Sequence, residues 1–396
     1  MPAVPVFRSG PFAGTPTTDT FALAALNETP VTVKLPAFSW PAGLAPTASQ
    51  FAHHVPGAPI TAAVGESVDV LIILYTDLEI SALLEVFTGD SVWSPSRKKT
   101  WNAYGHDFAS IKPKITGIDE NDALKAGYFG YLSLMTIGGK KVAFYKTELH
   151  PKTNGLQLPF IPVIKQLVSE LAPKLVISTG TAGAIGSVLN CGDVAITNAA
   201  RFHVRSTYAA YPKIDALSTS HGKITNNANV AGSYVQYAAQ NYTKLSLAGL
   251  QQCYEKIGTR PGYTFLKKNT SPCSIYVTNA NPVAGPEQMD IVSADYLTVD
   301  DNHDAEGLQQ LGIMNDTDDA FAFYAIDTLA AAHRPKWLSV RNASEPQIVA
   351  AAFPPGTSPT TIINQLKSTA GAIYGVYQYC TTLNSAFACW GVIAGM

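Results

Sequence analysis

The hydrophobic pattern alternates between two periods along most of the chain. Ser67-Val-Asp-Val-Leu-Ile-Ile-Leu-Tyr is a near-continuous apolar run that predicts a fully buried strand. Asp77-Leu-Glu-Ile-Ser-Ala-Leu-Leu-Glu-Val-Phe then switches to helical spacing and is closed by Gly89, which predicts a strand, turn and amphipathic helix. Gly130–Ile137 and Lys141–Thr147 flank Gly138-Gly139 and predict a hairpin. A helix over Pro162–Leu171 precedes the apolar run Leu175–Ser178. That run is expected to end at the small residues Gly180, Ala182, Gly183 and Gly186, and Val194–Thr197 to form a second strand beside it. Further on, helices are predicted over Leu245–Ile257, Asp318–Ala332 and from Ile362 through Cys380 onward, with strands at Ser274–Thr278, Asp290–Tyr296 and Trp337–Arg341. Strands alternating with helices imply an α/β class: a single domain with a central mixed, mostly parallel β-sheet flanked by helices on both faces.

The first 63 residues do not share this pattern. They hold prolines at 2, 5, 11, 16, 30, 36, 41, 46, 56 and 59, which exclude long helices. Residues 1–65 are therefore read as a Pro-, Ala- and Thr-rich arm wrapped on the main domain, 66–396, or on a neighbouring subunit, with a disordered tail as the alternative.

Composition narrows the function classes. Charged residues make up 14% of 396 and the net charge is −2, with no basic run, so neither a nucleic-acid backbone nor an anionic membrane is an expected partner. The five cysteines are widely spaced and have no C-x-x-C pair, which predicts buried thiols and no zinc site. The N-terminus lacks a basic region followed by an apolar core, and the default expectation is a cytoplasmic protein. Low surface charge also fits a homo-oligomer.

The glycine spacing Gly180-x-x-Gly183-x-x-Gly186 is not a dinucleotide fingerprint, and no suitably spaced acidic residue follows on a second strand. The fuller phrase Ser178-Thr-Gly-Thr-Ala-Gly183 with Cys191-Gly-Asp-Val194 nevertheless resembles the signature of the nucleoside phosphorylase and nucleosidase superfamily. Three further segments match that superfamily in the same order. Val70–Ile80 is similar to the opening strand and acidic turn of the methylthioadenosine/S-adenosylhomocysteine nucleosidases. Asp290–Tyr296 resembles their base-pocket segment. Thr317–Ala322 and Val340–Glu345 resemble their ribose-binding helix start and their Val-Arg-x-Ile-Ser-Asp strand end.

The resemblance implies a nucleoside phosphorylase-like fold and cleavage of the N-glycosidic bond of a purine-type, possibly 5′-modified, nucleoside. It assigns Glu345 to protonation of the departing base, Glu79 to the attacking water and Asp319 to the ribose hydroxyls. Asp318, Thr181, Ala182, Gly183, Ser293, Tyr296, Ser344 and Arg341 would complete the substrate pocket. Several positions depart from the family pattern: Asp319 is a shorter carboxylate than the usual glutamate, Asp318 replaces a methionine, Ala294 replaces a glycine, and Glu345 is one methylene longer than the usual aspartate. No cofactor or metal is implied.

Glycosidic cleavage needs an acid near the base, an acceptor for sugar hydroxyls and a nucleophile below the ring. Glu345, at the end of an apolar strand, is expected to be desolvated and proton-retaining. Asp319, at a helix start, is expected to be ionised. The loop after the first strand, Tyr75-Thr-Asp-Leu-Glu, is acidic where a phosphate would need a cation, which favours water as nucleophile; phosphate would be the co-substrate if His150, Lys152, Arg201 and Arg205 supplied a site. On the residues alone, Glu79 also reads as a solvated helix residue, Asp318 and Asp319 as dipole-complementing acids, and Arg341 as the partner of a buried carboxylate. A member that binds a nucleoside without turning it over is the third reading.

Overall fold

The computed structural model describes residues 35, 38–90, 93–151, 154, 157–185, 189–228, 233–238, 274–277, 289–295, 311–346 and 355–396. The expected helix Leu245–Ile257, together with Lys152, Gly186 and Tyr296, lies outside them.

The sheet is built around β2 (Val70–Leu74), whose five residues are all buried. Val70, Ile72 and Leu74 pack on one face with helix α1 (Asp77–Thr88) and the terminal helix α5 (Pro359–Gly395). Leu71 and Ile73 pack on the other face with α2 (Phe160–Leu171) and α4 (Asp319–Asp327). An apolar residue at every position thus serves two cores at once, as a doubly covered strand requires.

Parallel neighbours β5 (Lys140–Thr147) and β6 (Leu175–Ala184) flank β2, and β13 (Lys336–Pro346) continues the parallel centre beside β6. The periphery is mixed. β4 (Gly130–Ile137) closes an antiparallel hairpin with β5 through Gly138 (φ 56°) and Gly139 (φ 77°), both in the left-handed conformation that a primed turn requires. Short β1 (Thr47–Ser49) and β3 (Asn102–Tyr104) add to β4 antiparallel. At the other end, β8 (Ala199–Phe202), β11 (Ile291–Ser293) and β12 (Met314–Asp316) lie parallel, with β9 (Lys223–Thr225) antiparallel on β8. Helix α3 (Pro212–Thr219) joins β8 to β9.

Two local expectations are corrected. The glycine cluster does not end the strand: β6 runs from Leu175 to Ala184 through Gly180 and Gly183, because β13 continues beside it and β12 pairs antiparallel with Gly183 and Ala184. The strand β7 (Val194–Thr197) pairs with β13 and with β10 (Ile275–Val277), not with β6. Asp193 makes that geometry possible: its carboxylate accepts Asn190 N at 2.8 Å and Ser274 N at 2.7 Å, which shapes the turn before β7 and ties β10 to it. The α4 helix is also shorter than its apolar pattern, ending at Asp327, and β13 is longer, ending at Pro346.

The described part of the arm belongs to the same core. Trp40 packs against Trp390 with ring centroids 4.6 Å apart, Phe38 against Phe387 at 5.1 Å, and Trp390 Nε1 donates to Leu44 O at 2.9 Å. Phe51, Ile60 and Val64 are buried on the opposite face. Proline-rich backbone that cannot form its own core therefore borrows that of the sheet.

Trp390 is completely buried and joins the arm to α5. Trp390→Ala is expected to lower stability by about 3–5 kcal/mol, since it removes a large core side chain and leaves Leu44 O without its donor. Denaturant unfolding with unchanged m-value would register the loss; a change below about 1 kcal/mol would contradict this packing.

Candidate active site

The carboxyl ends of β2, β6 and β13 bring together residues far apart in sequence. From β2 come Tyr75 and, one turn into α1, Glu79. Thr76 caps α1 in a capping box: Glu79 N donates to Thr76 Oγ1 at 3.2 Å and Thr76 N returns to Glu79 Oε2 at 2.9 Å. The same Glu79 carboxylate takes Tyr75 N at 3.2 Å, Thr181 N at 2.8 Å and Thr181 Oγ1 at 2.9 Å. Glu79 is 2% exposed, so the solvated-helix reading does not hold. Its two oxygens accept two bonds each, which uses the lone-pair capacity of a carboxylate. This arrangement gives Gly180 its purpose: at φ 147°, a Cβ there would lie 2.3 Å from Glu79 Oε1, so only glycine lets α1 dock its acid on β6.

The second centre is a buried cation. Arg341 on β13 is 1% exposed and donates through Nη1 to Thr181 O at 2.9 Å. Its Nε lies 3.1 and 3.2 Å from the two Asp319 oxygens, and its Nη2 lies 3.2 Å from Asp316 Oδ2 and 3.6 Å from Asp318 Oδ2. The Tyr75 ring covers the guanidinium at 4.9 Å.

One cation cannot neutralise three carboxylates, and the protonation divides unevenly. Burial alone would raise Asp319, but the Arg341 guanidinium and the Ser178 and Ser339 hydroxyls outweigh it and hold the carboxyl below its ordinary value. Burial, reinforced by the Asp319 charge, pushes Asp316 well up. Asp318 is pushed up to about 7, chiefly by burial, with Arg341 opposing and the charges of Glu79 and Asp319 adding.

These contacts correct two assignments. Asp319 is 0% exposed and spends both oxygens on Arg341, Ser178 and Ser339, so it is a structural ion pair and presents nothing to a sugar. Its neighbour does: Asp318 Oδ1 is buried, has no hydrogen-bond partner, and makes only an ion contact of 3.3 Å with His150 Nε2. The helix begins one residue later than the sequence pattern implied, with Asp318 as its cap, and this turns one acid inward and the next toward the strand ends. Ser293 is likewise internal: its hydroxyl bonds Asp316 and accepts Ala320 N at 2.8 Å, which anchors the start of α4.

Glu345 occupies the far end of β13, directly after a bulge between Ala343 and Glu345 that sets it opposite Gly183. The bulge re-aims the side chain across β6. A Cβ on Gly183 would stand 3.7 Å from Glu345 Oε1, so the absence of a side chain there leaves the acid an open flank. Ser344 donates to Glu345 and to Ala182 O at 3.3 Å. Burial raises the Glu345 carboxyl to about 7, with the Ser344 hydroxyl only partly opposing. The sequence pattern contained no sign of Tyr374, an aromatic in an apolar helix like many core residues. Its partly buried phenol comes from α5 to hydrogen-bond the Thr181 side chain, within the electrostatic reach of Glu79, Glu345 and Asp318.

The basic residues considered for phosphate do not converge. Arg201 Nε bonds Asp290 at 2.7 Å, a carboxylate shared with Lys223 Nζ at 2.8 Å. Arg205 N donates to Asp295, and Lys152 lies outside the described residues. Among the described residues, no group of three or more His, Cys, Asp or Glu could hold a metal, and no helix is long and apolar enough to cross a membrane.

No protein-family model matches the sequence, and no curated protein matches it. Solved structures with a similar chain course include the 5′-methylthioadenosine/S-adenosylhomocysteine nucleosidase of Neisseria meningitidis in complex with methylthio-immucillin-A. It is 13% identical, the match covers 83% of this chain and 99% of that one, and the TM-score is 0.43. Futalosine hydrolase of Helicobacter pylori is 10% identical over 83% and 99% of the two chains, also with a TM-score of 0.43. The S-adenosylhomocysteine nucleosidase of Streptococcus pyogenes with 5-methylthiotubericidin is 14% identical over 83% and 98%, with a TM-score of 0.41.

The raised Glu345 carboxyl has a consequence for stability. A folded value of about 7 against an ordinary 4.5 means the folded state holds its proton more tightly, so the associated stability is present below pH 4.5 and is lost as pH rises through about 7. Glu345→Gln is therefore expected to be more stable than wild type at pH 8, with the difference shrinking toward pH 4.5. Denaturant midpoints across that range check it, and a variant with a constant offset from wild type would contradict it. Arg341→Met is expected to cost about 3–5 kcal/mol, because it strands the aspartates without their cation.

Proposed function

We propose that this chain hydrolyses the N-glycosidic bond of a purine-type nucleoside, with Glu345 as the acid that protonates the departing base. The observation that carries the reading is Glu345 itself, a buried carboxyl poised near 7 on the open flank of Gly183 at the edge of the sheet. An acid that retains its proton near neutrality can give it to a base nitrogen as the C–N electron pair leaves with that base. Asp318, with one buried unbonded oxygen, supplies the acceptor for a sugar hydroxyl in place of Asp319. The backbone of Thr181, Ala182 and Gly183 and the Ser344 hydroxyl shape the pocket floor. Water adds to the sugar carbon and one of its protons leaves, so that free base and free sugar result.

Water is favoured over phosphate because the cation nearest the site, Arg341, is enclosed by Asp316, Asp318 and Asp319, whose charges oppose an incoming anion. One observation supports a second reading, nucleoside binding without turnover: Glu79, the residue the resemblance assigns to the water, already accepts four bonds.

Incubation with adenosine, inosine, guanosine, methylthioadenosine and S-adenosylhomocysteine, followed by chromatography of released base, tests the proposal. Base is expected without added phosphate, with activity falling above about pH 7 as Glu345 loses its proton, and Glu345→Gln should reduce kcat by roughly 10²–10⁴-fold. Release that depends on phosphate and yields the sugar 1-phosphate would replace hydrolysis with phosphorolysis. Tight binding by calorimetry with no base released would favour the second reading.

A further inference from the structure

The terminal helix contributes a polar group to the carboxylate cluster, and nothing in the proposed reaction yet uses it. Helix α5 packs against α1 and β13, and Tyr374 projects from it toward the second half of β6. The groups facing its phenol come from four elements: Glu79 of α1, Thr181 of β6, Asp318 at the start of α4 and Glu345 of β13. Behind them stand Arg341, Tyr75 and His150, which contact Asp318 or its neighbours.

Thr181 fixes the direction of the hydrogen bond. Its own hydroxyl proton is committed to Glu79 Oε1 at 2.9 Å, so toward Tyr374 it offers a lone pair and the phenol must donate. The result is a chain from Tyr374 Oη through Thr181 Oγ1 to Glu79. Each donor in such a chain strengthens the next.

We propose that Tyr374 is a positioning residue for the hydrolytic reaction: by donating to Thr181 it locks the Thr181–Glu79 unit, and it leaves its phenolic lone pairs facing the space between Glu345 and Asp318, where they accept a proton of the attacking water. The inference rests on the hydrolytic reading above. It also gives the saturated Glu79 carboxylate a role, as the fixed end of a relay that orients water without itself touching it. No group in this relay is altered covalently, and the proton shed by water passes to solvent.

Two measurements test it. In the first, kcat and KM for base release are followed against pH in wild type, Tyr374→Phe and Tyr374→Leu. The phenylalanine variant keeps the ring and is expected to keep its melting temperature, yet to lose about five- to tenfold in kcat with KM within about twofold. Equal kcat in wild type and Tyr374→Phe, with loss only in Tyr374→Leu, would reduce the residue to packing and overturn the proposal. The second measurement needs no substrate: the side-chain Cζ resonance of Tyr374, assigned in labelled protein, is followed from pH 5 to 9. It is expected to move with a midpoint near the Glu345 value of about 7 and to lose that step in Glu345→Gln. A resonance that stays flat in wild type would overturn the juxtaposition. A resonance that moves in a protein releasing no base from any nucleoside would instead overturn the hydrolytic reading, and with it the water-orienting role.

Discussion

Arg341 is the constraint on which the carboxyl edge of the sheet depends. It is fully enclosed, it ties β13 to the backbone of β6 through Thr181, and it holds the β12–α4 junction through Asp316 and Asp319. Bringing a guanidinium and several carboxylates out of water is costly, and their attraction offsets that cost only where the geometry satisfies the remaining donors and acceptors. Here Ser178, Ser339 and Ser293 supply those bonds and Tyr75 covers the guanidinium face. Once the cation is in place, the positions of Asp318, Thr181 and hence Glu79 follow from it.

The same enclosure sets the chemistry. With one positive charge among three aspartates, only Asp319 is held firmly ionised, and the others retain protons toward neutrality. Glu345, removed from the cation and opposed by nothing but the Ser344 hydroxyl, is raised by burial alone. Carboxyls a few residues apart in sequence therefore have opposite characters, which is the condition for dividing acid and acceptor roles among chemically similar groups. The glycines of β6 make room for this. Gly180 admits Glu79, and Gly183 leaves Glu345 an open side.

Much of the architecture was legible because periodicity records burial. Val70–Leu74 is apolar at every position and is buried on both faces; Thr76, Glu79 and Gly89 start and stop α1 as capping chemistry predicts; Gly138-Gly139 closes the expected hairpin. Short strands such as β8, β9 and β12 carry too few residues to show a period, and they are held in place by Asp290, Arg201 and the antiparallel contact of β12 with Gly183. At the site, the segments containing Glu79, Thr181, Arg341 and Glu345 were identifiable and do converge. What sequence could not resolve was the phase of the acidic pair. Asp318 and Asp319 are chemically identical, and only the start of α4 and the position of Arg341 decide which one turns into the core. Tyr374 was hidden for a related reason: its role depends on how a helix from the far end of the chain lies across β6.

Carboxyl-carbon NMR titration of the ligand-free protein tests the central claim, the division of protonation within one enclosed site, most directly. The account predicts that Asp319 stays ionised to well below its ordinary value while Glu345 titrates near 7. Glu345 titrating near its ordinary 4.5, or Asp319 and Asp318 titrating together, would contradict it.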